Sequence, residues 1–235
     1  MKRLNLKLLL SGLCGFFLIN CSQRFINVNY SGNGFSVNEL KSSKVALVAS
    51  EKVTVLEFRK AYDKKFQDSD SCRKFISGKI VESINKGIPE INVSGVDAEY
   101  SNVFDIDNLN AEALAKVDGF FKSTDSKYVI NIKNIIVSNA FIANPATMMA
   151  APPGTNGAVS GGMVMGTGGT TESCVISYDV EIWDSKTREK KLSFNNRGES
   201  KVSFFAYGKA LNNAFENSFQ HLIGYLKTQQ VDFKK

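Results

Sequence analysis

Apolar residues recur along the chain with two periods, and each period marks a kind of element. Cys72, Ile76, Ile80 and Ile84 fall at every fourth position, with Phe75 and Val81 beside them. Ser69 to Ser71 offer caps in front, and Gly87 followed by Pro89 provides a stop, so this stretch reads as an amphipathic helix. Leu211, Phe215, Phe219, Leu222 and Leu226 form a second stripe; Leu109, Ala113, Leu114, Val117, Phe120 and Phe121 form a shorter one. Period two governs "CVISYDVEIWD", where Ile176, Tyr178, Val180 and Ile182 face one way and Ser177, Asp179 and Glu181 the other. The turn "DSKTRE" leads into "KKLSFNNRGES", which predicts a hairpin with one wet face.

Three more stretches read as strands: the β-branched "KYVINIKNIIVSNAF", the short apolar "KVALVAS", and "INVSGVDAEY", weakened by Gly95. Residues 51–66 fit both periods, since Val53 and Val55 alternate while Val55, Phe58, Tyr62 and Phe66 suit a helix. The order is strand, helix, strand, helix, then three strands and a closing helix. That predicts an α+β, two-layer domain: a mixed or antiparallel sheet of about five strands with about three helices packed on it.

The first residues follow neither period. "MKRLNLK" is basic, and Leu8 to Ile19 is an apolar run of twelve residues, short of the ~20 that span a bilayer. It ends on Cys21, with Leu18 and Asn20 where an ordinary signal peptidase wants small residues. Leu18-Ile19-Asn20-Cys21 resembles the lipobox of bacterial lipoproteins, with Asn20 in place of the common Ala, Gly or Ser. The resemblance implies that residues 1–20 are a signal peptide and that Cys21 becomes residue one, carrying a diacylglycerol and an amide-linked acyl chain. Two or more chains hold a protein on a membrane stably where one does not. Ser22, rather than an Asp, follows the cysteine, which by the enteric sorting rule implies the outer membrane, facing the periplasm. A plain secretory peptide is the competing reading. Residues 21–42, poor in periodic apolar positions, read as a lipidated tether, and residues 43–230 as a single domain.

Composition is that of a globular chain: 235 residues, 43% hydrophobic and 22% charged. Without Lys2, Arg3 and Lys7 the formal charge falls from +6 to +3, which leaves no basic cluster for a nucleic acid. Cys72 and Cys174 are the only cysteines of the mature domain. An exported chain matures where disulfides form, so a bridge and two separate buried thiols both stay open.

Residues 143–173 stand apart, with seven glycines, three prolines, four methionines and no charge before Glu172. So long an excursion inside a compact domain is uncommon. Met is common on adaptable binding surfaces, so Met148, Met149, Met163 and Met165 mark a flexible loop that docks on a partner, a second copy or lipid. A solvated insertion without a partner is the alternative.

"YVINIKNIIV", the glycine-rich excursion, "SYDVEIWDSKTREKKLSF" and a closing helix together resemble envelope lipoproteins related to the N-terminal domain of TolB, including CsgG-like and penicillin-binding-protein-activator lipoproteins. The resemblance covers residues 43–227 as an order of elements. It implies an accessory or assembly role in the envelope.

Catalytic chemistry is hard to assemble. His221, the lone histidine, lies beside the apolar stripe of the last helix, and no nucleophile elbow accompanies it. One histidine and two unclustered cysteines do not make a structural zinc site. Asp97 with Glu99, and Asp105 with Asp107, are i, i+2 pairs able to share a strand face, or simply surface acids. Gly161 to Gly166 has phosphate-loop spacing, but Thr167 and Gly168 stand where Lys and Ser or Thr are needed. The expectation is a non-enzymatic envelope lipoprotein with no metal, cofactor or nucleotide. It is held to the membrane through Cys21 and binds an envelope protein or itself; the alternative is a subunit of an oligomeric CsgG-like secretion channel.

Overall fold

The computed structural model describes residues 25–49, 53–96, 111–143, 148–149, 164–165 and 169–229. Among the described residues, nine strands run in chain order: β1 (Ile26–Ser31), β2 (Lys44–Ala49), β3 (Val53–Val55), β4 (Asn92–Gly95), β5 (Tyr128–Ala143), β6 (Met148–Met149), β7 (Val164–Met165), β8 (Thr170–Asp184) and β9 (Lys190–Lys201). The helices are α1 (Arg59–Phe66), α2 (Ser69–Gly87), α3 (Ala111–Ser123) and α4 (Tyr207–Thr228). The domain is α+β, with a seven-stranded mixed sheet in the order β1-β9-β8-β5-β2-β4. β3 is the seventh strand: β5 is long enough to pair with β2 through Tyr128–Ile132 and with β3 through Ile135–Val137, on the same edge. Between the two segments its register with β8 shifts, and Asn134 takes φ 52°, the mark of a bulge. The ambiguous residues 51–66 thus hold both a strand and a helix.

The helical stripes do what their spacing dictates. Ile76, Ile80 and Ile84 of α2 and Leu211, Phe215 and Leu222 of α4 are fully buried against Val45, Leu47, Ile176, Tyr178, Val180 and Ile182. Asp68, one residue ahead of the predicted caps, accepts the Ser71 amide at 2.7 Å and starts α2. Phe66, Phe75 and Phe215 meet at 5.3–5.5 Å between ring centroids, closing the space between α1, α2 and α4. α4 lies directly on β9 at Gly198, where a Cβ would stand 2.1 Å from the Ala214 carbonyl oxygen and 2.3 Å from the Ser218 amide nitrogen.

The second layer is not confined to one face. Alternate residues of a strand point oppositely. Ala46 and Val48 turn away from the main core and pack with Val129, Trp183, Phe120 and Phe121, so α3 covers the other face at this end.

The segment read as a tether is folded from Phe25 on. β1 pairs antiparallel with β9, Ile26 is buried, and a short 3-10 turn over Val37–Leu40 buries Val37 and Leu40. Ser36 and Glu39 cap that turn reciprocally. An edge strand with one buried face, followed by a single turn, carries too few apolar positions to show a period. The bridge left open between Cys72 and Cys174 is absent: both thiols are free and buried within one core.

Candidate functional site

His221, Cys72 and Cys174 hold structural places. His221 Nδ1 lies 2.7 Å from the carbonyl oxygen of Arg197, which can only accept, so the ring donates there. Its face stacks on Phe25 at 4.1 Å, and the histidine thereby pins the start of β1 against β9. Burial pushes the thiols of Cys72 and Cys174 up to about 12, which leaves almost no thiolate at neutral pH. Cys21, the pairs Asp97/Glu99 and Asp105/Asp107, and Met163 lie outside the described residues. Among the described residues, no group of three or more His, Cys, Asp or Glu is placed to hold a metal, and no helix is long and apolar enough to cross a membrane.

One buried carboxylate breaks the strand pattern. Glu181 points away from α2 and α4, to the face it shares with Trp183, and it is only 2% exposed. Lys133 and Lys190 Nζ stand 3.0 and 3.2 Å from its Oε1, while Trp183 Nε1 donates to Oε2 at 3.2 Å and Asn131 Nδ2 at 3.4 Å. Burial alone raises its pKa, but the Lys133 hydrogen bond and the fields of Lys133 and Lys190 prevail, and the carboxyl stays below its usual range. Four donors saturate both oxygens, so the group ties β5, β8 and β9 together and is not free to move a proton.

The unusual end of the molecule is where β5 leaves the sheet body and β8 enters it. Ala143 faces Thr170; five residues further on each strand, Met148 faces Met165 in the same antiparallel register. β6 and β7 form a two-stranded pair of their own, a short arm inside the insertion read as a loop; the rest of that insertion before Gly169 lies outside the described residues.

Beside the start of β8 sits an aromatic step that sequence reading missed. Val202 donates to the Glu172 carbonyl at 2.8 Å, and the chain then turns through Phe204 and Phe205 before α4. Phe204 is fully exposed and Phe205 86% exposed. Their φ angles are 49° and 60°, a region costing a non-glycine residue ~1–3 kcal/mol. Ser203 and Phe205 carbonyls accept the Ala206 and Tyr207 amides at 2.9 Å and hold the turn. Leu56, 63% exposed, hangs from Val137 of β5 by its amide, and Phe58 (φ 62°) contacts the Tyr207 ring at 5.6 Å. Phe141 of β5, opposite Glu172, is 66% exposed. The clue in the sequence is "FFAYG": two phenylalanines out of step with the stripe of α4.

No known family's sequence profile matches the chain. No curated protein matches it either. Solved structures with a similar arrangement include a PelC variant dodecamer from Paraburkholderia phytofirmans (11% identity, TM-score 0.41, covering 86% of this chain and 96% of that one). A neuraminyllactose-binding hemagglutinin homolog from Helicobacter pylori is similar at 10% identity and TM-score 0.39, over 86% and 93% of the two chains. Lipoprotein GNA1162 from Neisseria meningitidis is similar at 8% identity and TM-score 0.32, over 72% and 93%. At these values the likenesses carry no argument about a site.

Proposed function

We propose that the chain is a bacterial envelope lipoprotein, acylated at Cys21 and facing the periplasm from the outer membrane. It acts as a non-enzymatic accessory or binding module in the assembly or regulation of an envelope complex. The observation that carries this reading is the join between anchor and body. β1 is built into the sheet from Ile26, so only three residues lie between Cys21 and Phe25, and the lipid is within short reach of the folded domain instead of at the end of a long tether. The insertion between β5 and β8, in which Met148 faces Met165, is the module's contact element.

A second reading, a subunit of an oligomeric CsgG-like channel, is favoured by the shared register of β5–β8 and β6–β7. The mass of the detergent-extracted, full-length protein separates the two. A monomer or dimer supports the accessory module, and a closed ring of many copies replaces it with the channel. Deleting residues 145–170 tests the arm: complex formation that survives unchanged overturns its contact role.

A further inference from the structure

The exposed aromatic end and the anchor point the same way. β1 runs antiparallel to β9, and the Arg197 amide donates to the Phe25 carbonyl. Going back from Phe25 therefore means going along β9 toward Lys201 and the Phe204–Phe205 turn. Lys201 lies four residues beyond Arg197, or about 13 Å of strand. Cys21 lies four residues before Phe25, within a reach of about 14 Å. The acyl chains implied at Cys21 can therefore leave the protein at the end that carries Phe204, Phe205, Leu56, Tyr207 and Phe141. The other large exposed apolar residues, Val28 and Tyr30, lie on the edge strand β1.

Charge at this end fits the same occupant. Arg59 and Lys60 open α1, Lys201 ends β9 and Lys209 lies in the first turn of α4, all exposed. In the chain the nearest acids are Glu57 and Asp63 beside Arg59 and Lys60, Glu199 two residues before Lys201, and Glu216 after Lys209; Glu199 is buried and faces Arg197 at 3.4 Å, Glu172 holds Asn139, and Arg59 shares Asp63 at 4.0 Å. Exposed phenylalanine and leucine ringed by lysine is the composition of a surface that settles among lipid headgroups. Solvent alone gives no reason to hold two consecutive phenylalanines at positive φ with their rings outward.

We propose that this end is a second membrane contact: Phe204, Phe205 and Leu56 dip into the leaflet that holds the Cys21 lipid, with Lys201, Lys209 and Lys60 at its headgroups. The anchor and the aromatic step then fix the domain at two points, so that it stands on the bilayer in one orientation. The proposal rests on the lipid-anchor reading for its occupant.

The test places a probe in the turn. Full-length protein carrying Phe205→Trp is reconstituted into vesicles of phosphatidylethanolamine and phosphatidylglycerol, with and without phospholipids brominated on the acyl chain. The unsubstituted protein supplies the Trp183 background, and an unchanged circular dichroism spectrum confirms the fold. The expected result is an added emission that is blue-shifted and quenched by the brominated lipid. Emission that stays solvent-like overturns the proposal, as does emission that is blue-shifted yet unquenched, which means that protein, such as a second copy, covers the turn. The mass of the N-terminal peptide from the same sample reads the anchor separately. Acylated Cys21 with an unquenched probe overturns the docking and leaves the anchor standing. A quenched probe over unmodified Cys21 overturns the anchor and supports the docking.

Discussion

Replacing Gly198 with alanine is expected to unseat α4. The added Cβ would stand 2.1 Å from the Ala214 carbonyl oxygen, 2.3 Å from the Ser218 amide nitrogen and 2.6 Å from the Ser218 Cβ. Ordinary contact begins at 3.4 Å, so helix and strand must part by more than an ångström. The obstacle is backbone on both sides, so no side chain can swing away. Parting them loosens Phe215, Phe219 and Leu222 across the whole interface and breaks the bond from Asn196 to the Ser218 carbonyl, 2.9 Å long. Overpacking by one methyl typically costs ~1–3 kcal/mol, and a clash with rigid backbone belongs at or above the top of that range. Urea denaturation of the folded domain, followed by far-ultraviolet circular dichroism, measures the loss. Gly208→Ala is the control, since a Cβ there meets nothing within 4 Å and its φ is not positive. On an exposed turn of α4 it is expected to be neutral or to stabilise by ~0.4–1 kcal/mol. A Gly198→Ala midpoint within ~0.5 kcal/mol of wild type would refute the reasoning, because that is the scale of an ordinary surface substitution.

Glu181→Gln is expected to cost ~1–3 kcal/mol at neutral pH, since Lys133 and Lys190 lose the negative charge they share. The folded carboxyl titrates below its ordinary 4.5, so its stabilisation is complete above that value and fades as acid carries the pH down through the folded pKa. Denaturation midpoints measured on either side of pH 4.5 should therefore fall more steeply for wild type than for the variant, and parallel curves would contradict the ion-pair account. Cys72 and Cys174, buried and pushed to about 12, should resist a thiol reagent in the folded chain and react once denatured. Reductant should leave the thermal midpoint unchanged; rapid native labelling, or a midpoint that drops on reduction, would contradict two free core thiols.

What the sequence disclosed and what it hid follow from how each element is made. α2 and α4 announce themselves because a helix with one buried face must repeat its apolar residues, as Ile76, Ile80 and Ile84 do. β8 does so because Ile176 to Ile182 face helices while Ser177 to Glu181 do not. β1 stayed hidden because Ile26 is its single buried residue, and its place is set by hydrogen bonds to β9 that leave no side-chain pattern. α3 was legible as a helix but not as the cover of the opposite face, since only the register of β2 shows that Ala46 and Val48 turn from the main core. The role of Glu181 depends on two lysines from two other strands, Lys133 and Lys190, a meeting that pairing alone creates. β6 and β7 inside the insertion are two residues each, too short to show a period. The aromatic turn was legible as composition, and its exposure became visible only with the end of β9 in place.

The measurement closest to the central claim is the mass of the N-terminal peptide of the mature protein, recovered from the membrane fraction of expressing cells. The account predicts a chain that begins at Cys21 and carries a diacylglycerol and an amide-linked acyl chain, with lipid labelling abolished by Cys21→Ala. A mature chain that begins elsewhere, or an unmodified Cys21, would contradict it.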